Sequence, residues 1–414
     1  MAKKDAIEQI EIEAPYELPE GWRWKTLGNT CDMYQPKTIS TKELIDDGKY
    51  LVYGANGVIG RYDKYNHEKA QLLITCRGAT CGAVNISEPF SWINGNAMVI
   101  NPKDENLDLK YLAYIFQSEV NFNKVITGSA QPQITRQSLL PVIFPLPPTL
   151  AEQQRIVNRI ETIFAKLDQA QEKAQAVLDS FETRKAAILH KAFTGELTAN
   201  WRKENGVPDD SWEEKRLEDV CEFITKGTTP KKEDMSIGTG DIPYIKVYNL
   251  CFDTNLDFSI DPTFVKLESH KNFLARSITL PGDVLMNIVG PPFGKVSIVP
   301  DTYPEWNINQ AIARFRCKPK LYNVYLANYL ISPKTIENMS RQIKTTAGQQ
   351  NLTLEICRNI TIPVPRFPEQ QEIVRILDSV LEKETRAKEA AQTVLDQIAL
   401  LKKSILARAF RGEL

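Results

Sequence analysis

The feature that most constrains this chain is a helical segment that occurs twice. Residues 152–197 read EQQRIVNRIETIFAKLDQAQEKAQAVLDSFETRKAAILHKAFTGEL, and residues 369–414 read EQQEIVRILDSVLEKETRAKEAAQTVLDQIALLKKSILARAFRGEL. The copies align without a gap at an offset of about 217 residues, and about 21 of 46 positions are identical, which defines an internal repeat. The rest of the chain must therefore be arranged around two equivalent helices.

Apolar residues recur in each copy at alternating steps of four and three residues, and charged residues flank them. This spacing over more than four heptads predicts a coiled coil, although a single amphipathic helix lying on its own domain is the alternative. We expect Gly195 and Gly412 to end the two helices. The predicted seam comprises Ile156, Ile160, Ile163, Leu167, Ala170, Ala174, Val177, Phe181, Arg184 and Ile188 in the first copy, and Ile373, Leu377, Val380, Glu384, Ala387, Ala391, Val394, Ile398, Leu401 and Ile405 in the second.

The two seams each contain one charged residue, and this fixes a register. If the helices pair antiparallel about a pseudo-twofold axis, Arg184 lies opposite Glu384, and Leu167 lies opposite Leu401. Either charge alone at a half-buried seam would cost several kcal/mol, so we predict contact between Arg184 and Glu384. Helices of this length span about 60 Å, which would hold the two domains inverted at opposite ends of a rod.

The segments that precede the two helices also resemble each other. Both open on a Trp-containing phrase, and both contain an apolar run, a Gly-x3-Gly turn and a second apolar run, which predicts two strands joined by a turn. A strand, a short helix, a Gln-rich turn, a short strand and prolines follow in each. The matched phrases are residues 18–31 and 207–221, 72–86 and 284–298, 91–100 and 305–315, 110–118 and 324–332, and 128–148 and 346–365.

These patterns predict an α+β protein with a pseudo-twofold internal repeat. Two mixed, mainly β globular domains are separated by two long antiparallel coiled-coil helices. The predicted boundaries are 1–147 for the first domain, 148–200 for the first helix, 201–365 for the second domain and 366–414 for the second helix.

Composition narrows the function classes. Seven scattered cysteines and three separate histidines (His67, His190 and His270) make a zinc site or a Ser-His-Asp or Cys-His constellation improbable. No apolar run is long enough for a membrane span, and the N-terminus lacks an export signal, so we expect a cytoplasmic protein. The net charge of −1 argues against a chain that holds nucleic acid by its overall charge alone.

Two related domains on a fixed spacer are suited to a ligand that repeats along its length. Duplex DNA presents the same groove face about every 34 Å, so such a pair could read two half-sites with an unread gap between them. Because the two domains differ in sequence, the half-sites should differ as well.

The order of domain, PPxxEQ-type helix, domain and PxxEQ helix, with LPEGW, GTTPKK and AFxGEL phrases, resembles the specificity subunit of type I restriction–modification enzymes over essentially the whole chain. The resemblance implies two target recognition domains that read a bipartite, asymmetric sequence in double-stranded DNA. It also implies that the helices set the spacing and dock two modification (methyltransferase) subunits, which restriction subunits join. It implies no catalysis and no cofactor for this chain, with S-adenosylmethionine, ATP and Mg only on the partners.

Base reading requires polar side chains on turns that can enter a groove, and such turns recur at matching places in the two domains. Asn and Gly also favour turns for conformational reasons, so a structural role is the alternative for each residue. The candidates are Tyr53, Asn56, Arg77, Thr80, Asn94, Asn96, Gln131 and Gln133 in the first domain, and Lys226, Thr228, Thr229, Lys246, Asn249, Asn287, Asn307, Gln310, Gln349, Gln350 and Asn351 in the second.

Two other classes of protein stay open. A fused modification enzyme would need a catalytic motif, and the GPPFG phrase at 290–294 has Gly290 where an adenine methyltransferase needs Asn, Asp or Ser, so we interpret it as a turn. A coiled-coil scaffold that binds protein is the other.

Acidic and basic residues are about equal in number in each globular segment. Either the basic residues lie on one face of each domain, or partner subunits supply most of the contacts to the DNA backbone. We expect the isolated chain to bind DNA with poor affinity.

Overall fold

The computed structural model describes residues 14–78, 80–118, 120, 122–128, 132–346 and 349–414. The chain divides into two compact units. Unit 1 is the chain through Gln175 together with Gln392–Leu414, and unit 2 is Ala176–Ala391. Each unit therefore contains one globular domain and one half of each long helix.

Unit 1 is built on a four-stranded antiparallel sheet with the order β2-β8-β5-β6. A smaller sheet, β4-β3-β7, and the strand pair β1-β9 complete its β structure. Its elements are β1 Arg23–Thr26, α1 Leu27–Thr30, β2 Cys31–Tyr34, β3 Tyr50–Gly54, β4 Gly57–Tyr62, β5 Leu72–Thr75, β6 Val84–Ile86, β7 Trp92–Ile93, β8 Ala97–Pro102, α2 Leu109–Ser118, α3 Phe122–Val125, α4 Arg136–Leu139, β9 Ile143–Leu146 and the start of α5 Leu150–Phe193.

Unit 2 repeats this plan with the four-stranded order β11-β19-β16-β17 and the strand pair β10-β22. Its second sheet has five strands, β12-β14-β13-β18-β15, and a hairpin, β20-β21, is added. Its elements after α5 are α6 Ala199–Glu204, β10 Glu213–Arg216, α7 Leu217–Val220, β11 Cys221–Lys226, β12 Met235–Ile237, β13 Ile242–Ile245, β14 Thr263–Val265, α8 Leu267–Lys271, β15 Ile278–Thr279, β16 Val284–Asn287, β17 Val296–Ile298, β18 Trp306–Ile308, β19 Ile312–Cys317, α9 Asn323–Leu330, α10 Pro333–Arg341, β20 Lys344–Thr346, β21 Gln349–Asn351, α11 Leu354–Asn359, β22 Thr361–Val364 and α12 Phe367–Phe410.

The predicted hairpins are present in both units. Leu72 pairs with Ile86 across the β5-β6 hairpin, and Val284 pairs with Ile298 across β16-β17. The predicted short helices are α2 and α9, and the short strands before the prolines are β9 and β22. The local patterns thus predicted these elements correctly, whereas the second sheet of each unit (β4-β3-β7 and β12-β14-β13-β18-β15) and the β20-β21 hairpin were not predicted.

Each long helix has 44 residues and ends where a glycine was predicted to end it. Gly195 follows α5 with φ +82°, and Gly412 follows α12 with φ +75°, a backbone conformation that residues with a side chain rarely adopt. Within the described ranges, none of the helices is both long and apolar enough to cross a membrane.

A glutamine near the start of each long helix binds the loop that precedes the short helix of its own domain. Gln153 accepts from Asp108 N at 2.8 Å and donates to Asn106 O at 2.9 Å. Gln370 accepts from Tyr322 N at 2.8 Å and donates to Lys320 O at 3.0 Å and Pro365 O at 2.9 Å. Both glutamines are buried, so these hydrogen bonds fix where each helix leaves its domain.

The end of each long helix packs into the domain at the start of the other long helix. In unit 1, Phe410 at the end of α12 meets the Tyr111 ring edge-on at 5.4 Å. In unit 2, Phe193 at the end of α5 meets Tyr325 at 5.3 Å and Tyr329 at 5.0 Å. Each domain core is therefore completed by a helix that is distant in sequence.

The helices run antiparallel within each unit, and the predicted charged contact is present. In unit 2, Arg184 Nε donates to Glu384 Oε2 at 2.7 Å, and Lys388 Nζ lies 4.5 Å from the Phe181 ring centroid. Both charged side chains are partly buried, 34% and 23% exposed. The two misfit residues of the apolar seams thus neutralise each other.

The predicted apolar pair is less regular. Leu167 is half-buried, but Leu401 is 48% exposed, so this part of the seam is open to solvent. Lys402, the next residue, places Nζ 2.5 Å from Asp168 Oδ1 and 5.6 Å from the Phe164 ring centroid. An ion pair between a half-buried lysine and an exposed aspartate therefore lies next to the place where the heptad pattern predicts an apolar contact.

Candidate nucleic-acid interface

Four chain segments of unit 1 meet at one end of its four-stranded sheet. They follow β2, follow β5, precede β8 and precede α4. Cys76 N donates to Asn96 O at 3.3 Å, and Ile134 N donates to Cys76 O at 2.9 Å. Gln35 Nε2 donates to Gly95 O at 3.0 Å. We call residues 35–38, 76–78, 80–82, 94–97, 127–128 and 132–134 the loop edge of unit 1.

Unit 2 has a loop edge at the same place, formed by residues 226–229, 288–295, 309–312, 344–346 and 349–352. Ile288 N donates to Ala311 O, and Leu352 N donates to Ile288 O, both at 2.9 Å. Gly227 N donates to Ile312 O at 3.1 Å. The hydrogen bonds of Ile288 match those of Cys76, so the two loop edges are equivalent parts of the repeat.

Both loop edges are basic by sequence. Their ranges contain cations and no Asp or Glu, although 52 of the 414 residues are acidic. An acid-free surface attracts phosphate even when the whole chain is close to neutral, because screening limits the field to about 8–10 Å. The cations are Lys37, Arg77, Lys226, Lys295 and Lys344.

The loop edges gather many of the predicted base-reading residues. Arg77, Thr80 and Asn96 in unit 1 and Lys226, Thr229 and Gln310 in unit 2 are exposed there. Gln133 and Asn351 are both half-buried. They occupy equivalent places, because the backbone of Gln133 forms a β-bridge with Arg77 and the backbone of Asn351 forms one with Val289. Gln131 lies outside the described residues, and for Gln349 and Gln350 only the backbone, in β21, is described.

Two candidates lie outside the segments that define the loop edges. Asn56 is exposed in the β3-β4 turn, where its Oδ1 accepts from Asn85 Nδ2 at 3.2 Å. Lys246 is half-buried, with Nζ 3.8 Å from Asp261 Oδ2 and 5.5 Å from the Tyr248 ring centroid. Asn56 is thus held against β6, and Lys246 is held against Asp261 and Tyr248.

Three buried candidates have structural hydrogen bonds. Tyr53 Oη accepts from Glu88 N at 3.1 Å. Asn94 Oδ1 accepts from Ile39 N at 2.9 Å, and Asn287 Oδ1 accepts from Lys295 N at 3.0 Å. A buried side chain in this arrangement cannot reach a base, so the structural alternative fits these residues.

The same holds for three candidates of unit 2. Thr228 Oγ1 accepts from Arg276 Nε at 3.0 Å, and Asn249 Nδ2 donates to Ile260 O at 2.8 Å. Asn307 is fully buried, with its amide against the His270 ring. The Asn and Thr signal was ambiguous here because these side chains also satisfy backbone groups in turns.

Three residues of the loop edge in unit 1 are not among the predicted candidates. Gln35 and Lys37 are exposed, and Thr127 exchanges backbone hydrogen bonds of 2.8 and 2.9 Å with Gln133. The internal repeat could have identified Gln35, because β2 and β11 are equivalent strands. Gln35 directly follows β2, and the predicted candidate Lys226 is the last residue of β11. The weak sequence similarity of these two strands concealed that correspondence.

The loop edge of unit 1 also contains a cysteine without the features of a nucleophile. Burial raises the pKa of the Cys76 thiol to about 11, so this thiol stays protonated near neutral pH. In the described part of the chain, no group of three or more His, Cys, Asp and Glu side chains is placed to hold a metal ion. The exposed polar side chains of both loop edges are amides, hydroxyls and cations.

Comparison with known proteins gives this arrangement a family. The profile described as type I restriction modification DNA specificity domain matches twice, over residues 19–178 and 209–395. The EcoKI specificity subunit of Escherichia coli K12 is 26% identical, over 96% of this chain and 90% of that protein. The EcoBI specificity subunit of E. coli is 24% identical, over 83% of this chain and 73% of that protein.

Solved structures share the fold. A chain from a type I R-M system has a TM-score of 0.70 at 19% identity, covering 97% of this chain and all of that one. The HsdS subunit from Thermoanaerobacter tengcongensis has a TM-score of 0.65 at 19% identity, with the same coverage. The chain belongs to the family of type I restriction–modification specificity subunits, as the duplicated profile match shows.

Proposed function

We propose that each globular domain reads one half of a bipartite, asymmetric DNA sequence through its loop edge. The observation that carries this proposal is the duplication of the loop edge. Two equivalent sets of segments without Asp or Glu lie at the same end of equivalent sheets but present different side chains. Cations favour the DNA backbone, and amide and guanidinium groups distinguish base edges. Two different surfaces should select two different half-sites.

The long helices supply the second part of the proposal. They fix the distance between the half-sites and dock the methyltransferase subunits, and restriction subunits join to complete the nuclease. Catalysis then resides on the partners, which bind S-adenosylmethionine, ATP and Mg. Both helix–domain junctions have a buried glutamine that binds the preceding loop, which we call the glutamine clamp, and a phenylalanine packed on a tyrosine, and these contacts support a rigid spacer.

Methylome sequencing tests this function. The chain is expressed with its modification subunit in cells that lack other adenine methylation, and modified bases are mapped across the genome. We expect one motif with two specified parts and a constant gap, absent when either subunit is omitted. A continuous motif, or methylation that does not require this chain, would refute the proposal.

DNA binding by the separate components tests the division of labour. In gel shifts with the methylated motif as the site, we expect weak binding by the chain alone and tight, specific binding by its complex with the modification subunit. Tight and specific binding by the chain alone would show that its loop edges need no partner contacts to the backbone.

A further inference from the structure

We propose that Arg77 reads a guanine in the half-site of unit 1, and that Val289, its counterpart in unit 2, packs against a thymine methyl group. This inference rests on the proposed function and deepens it, because it names the bases that one position of each loop edge selects. It predicts chemically different readout at the same place in two equivalent domains.

The position of Arg77 is fixed from both sides. The preceding residue, Cys76, is buried. Its backbone N–H donates to Asn96 O, and its carbonyl oxygen accepts from Ile134 N. Arg77 itself forms a backbone bridge with Gln133, and its side chain is exposed. Because the backbone is already ordered, binding does not have to order this loop, and the planar guanidinium presents its donors in a fixed fork, which favours a specific contact over a diffuse one.

The chemistry favours guanine. Arginine presents parallel N–H donors that match guanine O6 and N7 in the major groove, the most common specific contact between protein and DNA. The neighbours of Arg77 on the loop edge are amides, Asn96 and Gln133, which also recognise base edges. Arg77 therefore lies within a group suited to bases, whereas Lys37 lies on a separate segment of the edge.

Val289 occupies the matching position. Ile288 repeats the hydrogen bonds of Cys76, and Val289 forms the backbone bridge with Asn351 that Arg77 forms with Gln133. Its side chain is 36% exposed and has no donor or acceptor. An exposed aliphatic group at this place can contact the C5 methyl of thymine, and it cannot select guanine.

The test uses the complex with the modification subunit and duplexes that contain the motif found in the methylome. Each base pair of the unit 1 half-site is substituted in turn, and methylation rates are compared for wild type and Arg77→Ala. We expect wild type to discriminate about tenfold or more at one G·C pair, and Arg77→Ala to lose discrimination at that pair alone. Equal weakening on every duplex would identify a phosphate contact and overturn the proposal.

Replacing that guanine with 7-deazaguanine removes the N7 acceptor and isolates the contact. Wild type should slow on this duplex, and Arg77→Ala should not. If Arg77→Ala methylates nothing, Arg77→Gln keeps a polar side chain whose amide matches adenine rather than guanine, and it must lose the guanine preference at one pair. An unchanged preference for guanine in Arg77→Gln refutes the proposal. Arg23→Ala, an exposed arginine on the β1-β9 pair, is the matched control and should leave the motif unchanged.

The reciprocal change is Val289→Arg, which we expect to add a guanine preference at one position of the unit 2 half-site. Replacing thymine there with uracil should slow the wild type and not this variant. If the wild-type chain gives a bipartite motif but neither Arg77→Ala nor Val289→Arg changes base discrimination, this inference is overturned and the proposed function stays intact. The absence of any bipartite motif for wild type would instead refute the function itself.

Discussion

Tyr111 and Tyr325 occupy equivalent places in the two units and make equivalent contacts. Tyr111 donates to Pro145 O at 2.9 Å and packs on Phe410, and Tyr325 donates to Pro363 O at 2.8 Å and packs on Phe193. The loop edges, by contrast, differ: Arg77 of unit 1 corresponds to Val289 of unit 2. The two copies thus agree at the junctions with the long helices and differ at the ends of the sheets.

This difference separates two physical requirements. A helix–domain junction must bury aromatic rings and pair every buried polar group, so few side chains satisfy it. A loop edge is anchored by backbone hydrogen bonds, which depend little on the side chains that they present. The same scaffold can therefore hold two different reading surfaces.

The largest expected effect is at the junctions. Phe410→Ala should lower the free energy of unfolding of unit 1 by about 4 kcal/mol, because it empties a fully buried aromatic site. Phe193→Ala should destabilise unit 2 by less, since Phe193 is only partly buried. Hydrogen exchange localises each loss of protection to its own unit.

Leu400→Ala is the control for this comparison, because Leu400 is on the same helix as Phe410 and is 66% exposed. We expect it to change stability by less than about 0.5 kcal/mol. Loss of protection in unit 2 on Phe410→Ala would contradict the assignment of this helix end to the core of unit 1.

The glutamine clamps should give the next largest effect. Gln370→Ala leaves Tyr322 N, Lys320 O and Pro365 O without their partner and should cost about 3 kcal/mol, and Gln153→Ala, with two bonds lost, about 2 kcal/mol. Urea unfolding measures both. Gln392→Ala, an exposed glutamine of α12, is the control, and equal costs for all three variants would refute the clamp.

The smallest effect is expected at the seam. A double-mutant cycle that replaces Arg184 and Glu384 with alanine should give a coupling energy of about 1 kcal/mol, because both side chains are partly buried. The same cycle on Arg386 and Glu382, which are 72% and 62% exposed, should give less than about 0.5 kcal/mol. Equal coupling in the two pairs would show that burial at the seam adds nothing.

Sequence reasoning succeeded where a pattern is local or repeated. The Gly-x3-Gly phrases predicted the β5-β6 and β16-β17 hairpins, and the two misfit seam residues predicted the contact between Arg184 and Glu384. It was weaker for single reading residues. Asn94 and Asn249 have the same signal as Asn96, yet they are buried and bind backbone groups, and only burial distinguishes them.

The sequence by itself determined the repeat, the two long helices, the family and, in each domain, one hairpin with the strand and short helix that follow it. These follow from periodicity and glycine placement, which act over a few residues. Only the tertiary structure decided that Phe410 completes the core of unit 1, that Phe193 completes that of unit 2, and that four separate segments form each loop edge. Such contacts join residues far apart in the chain, and their partners depend on how the sheets pack rather than on any local pattern.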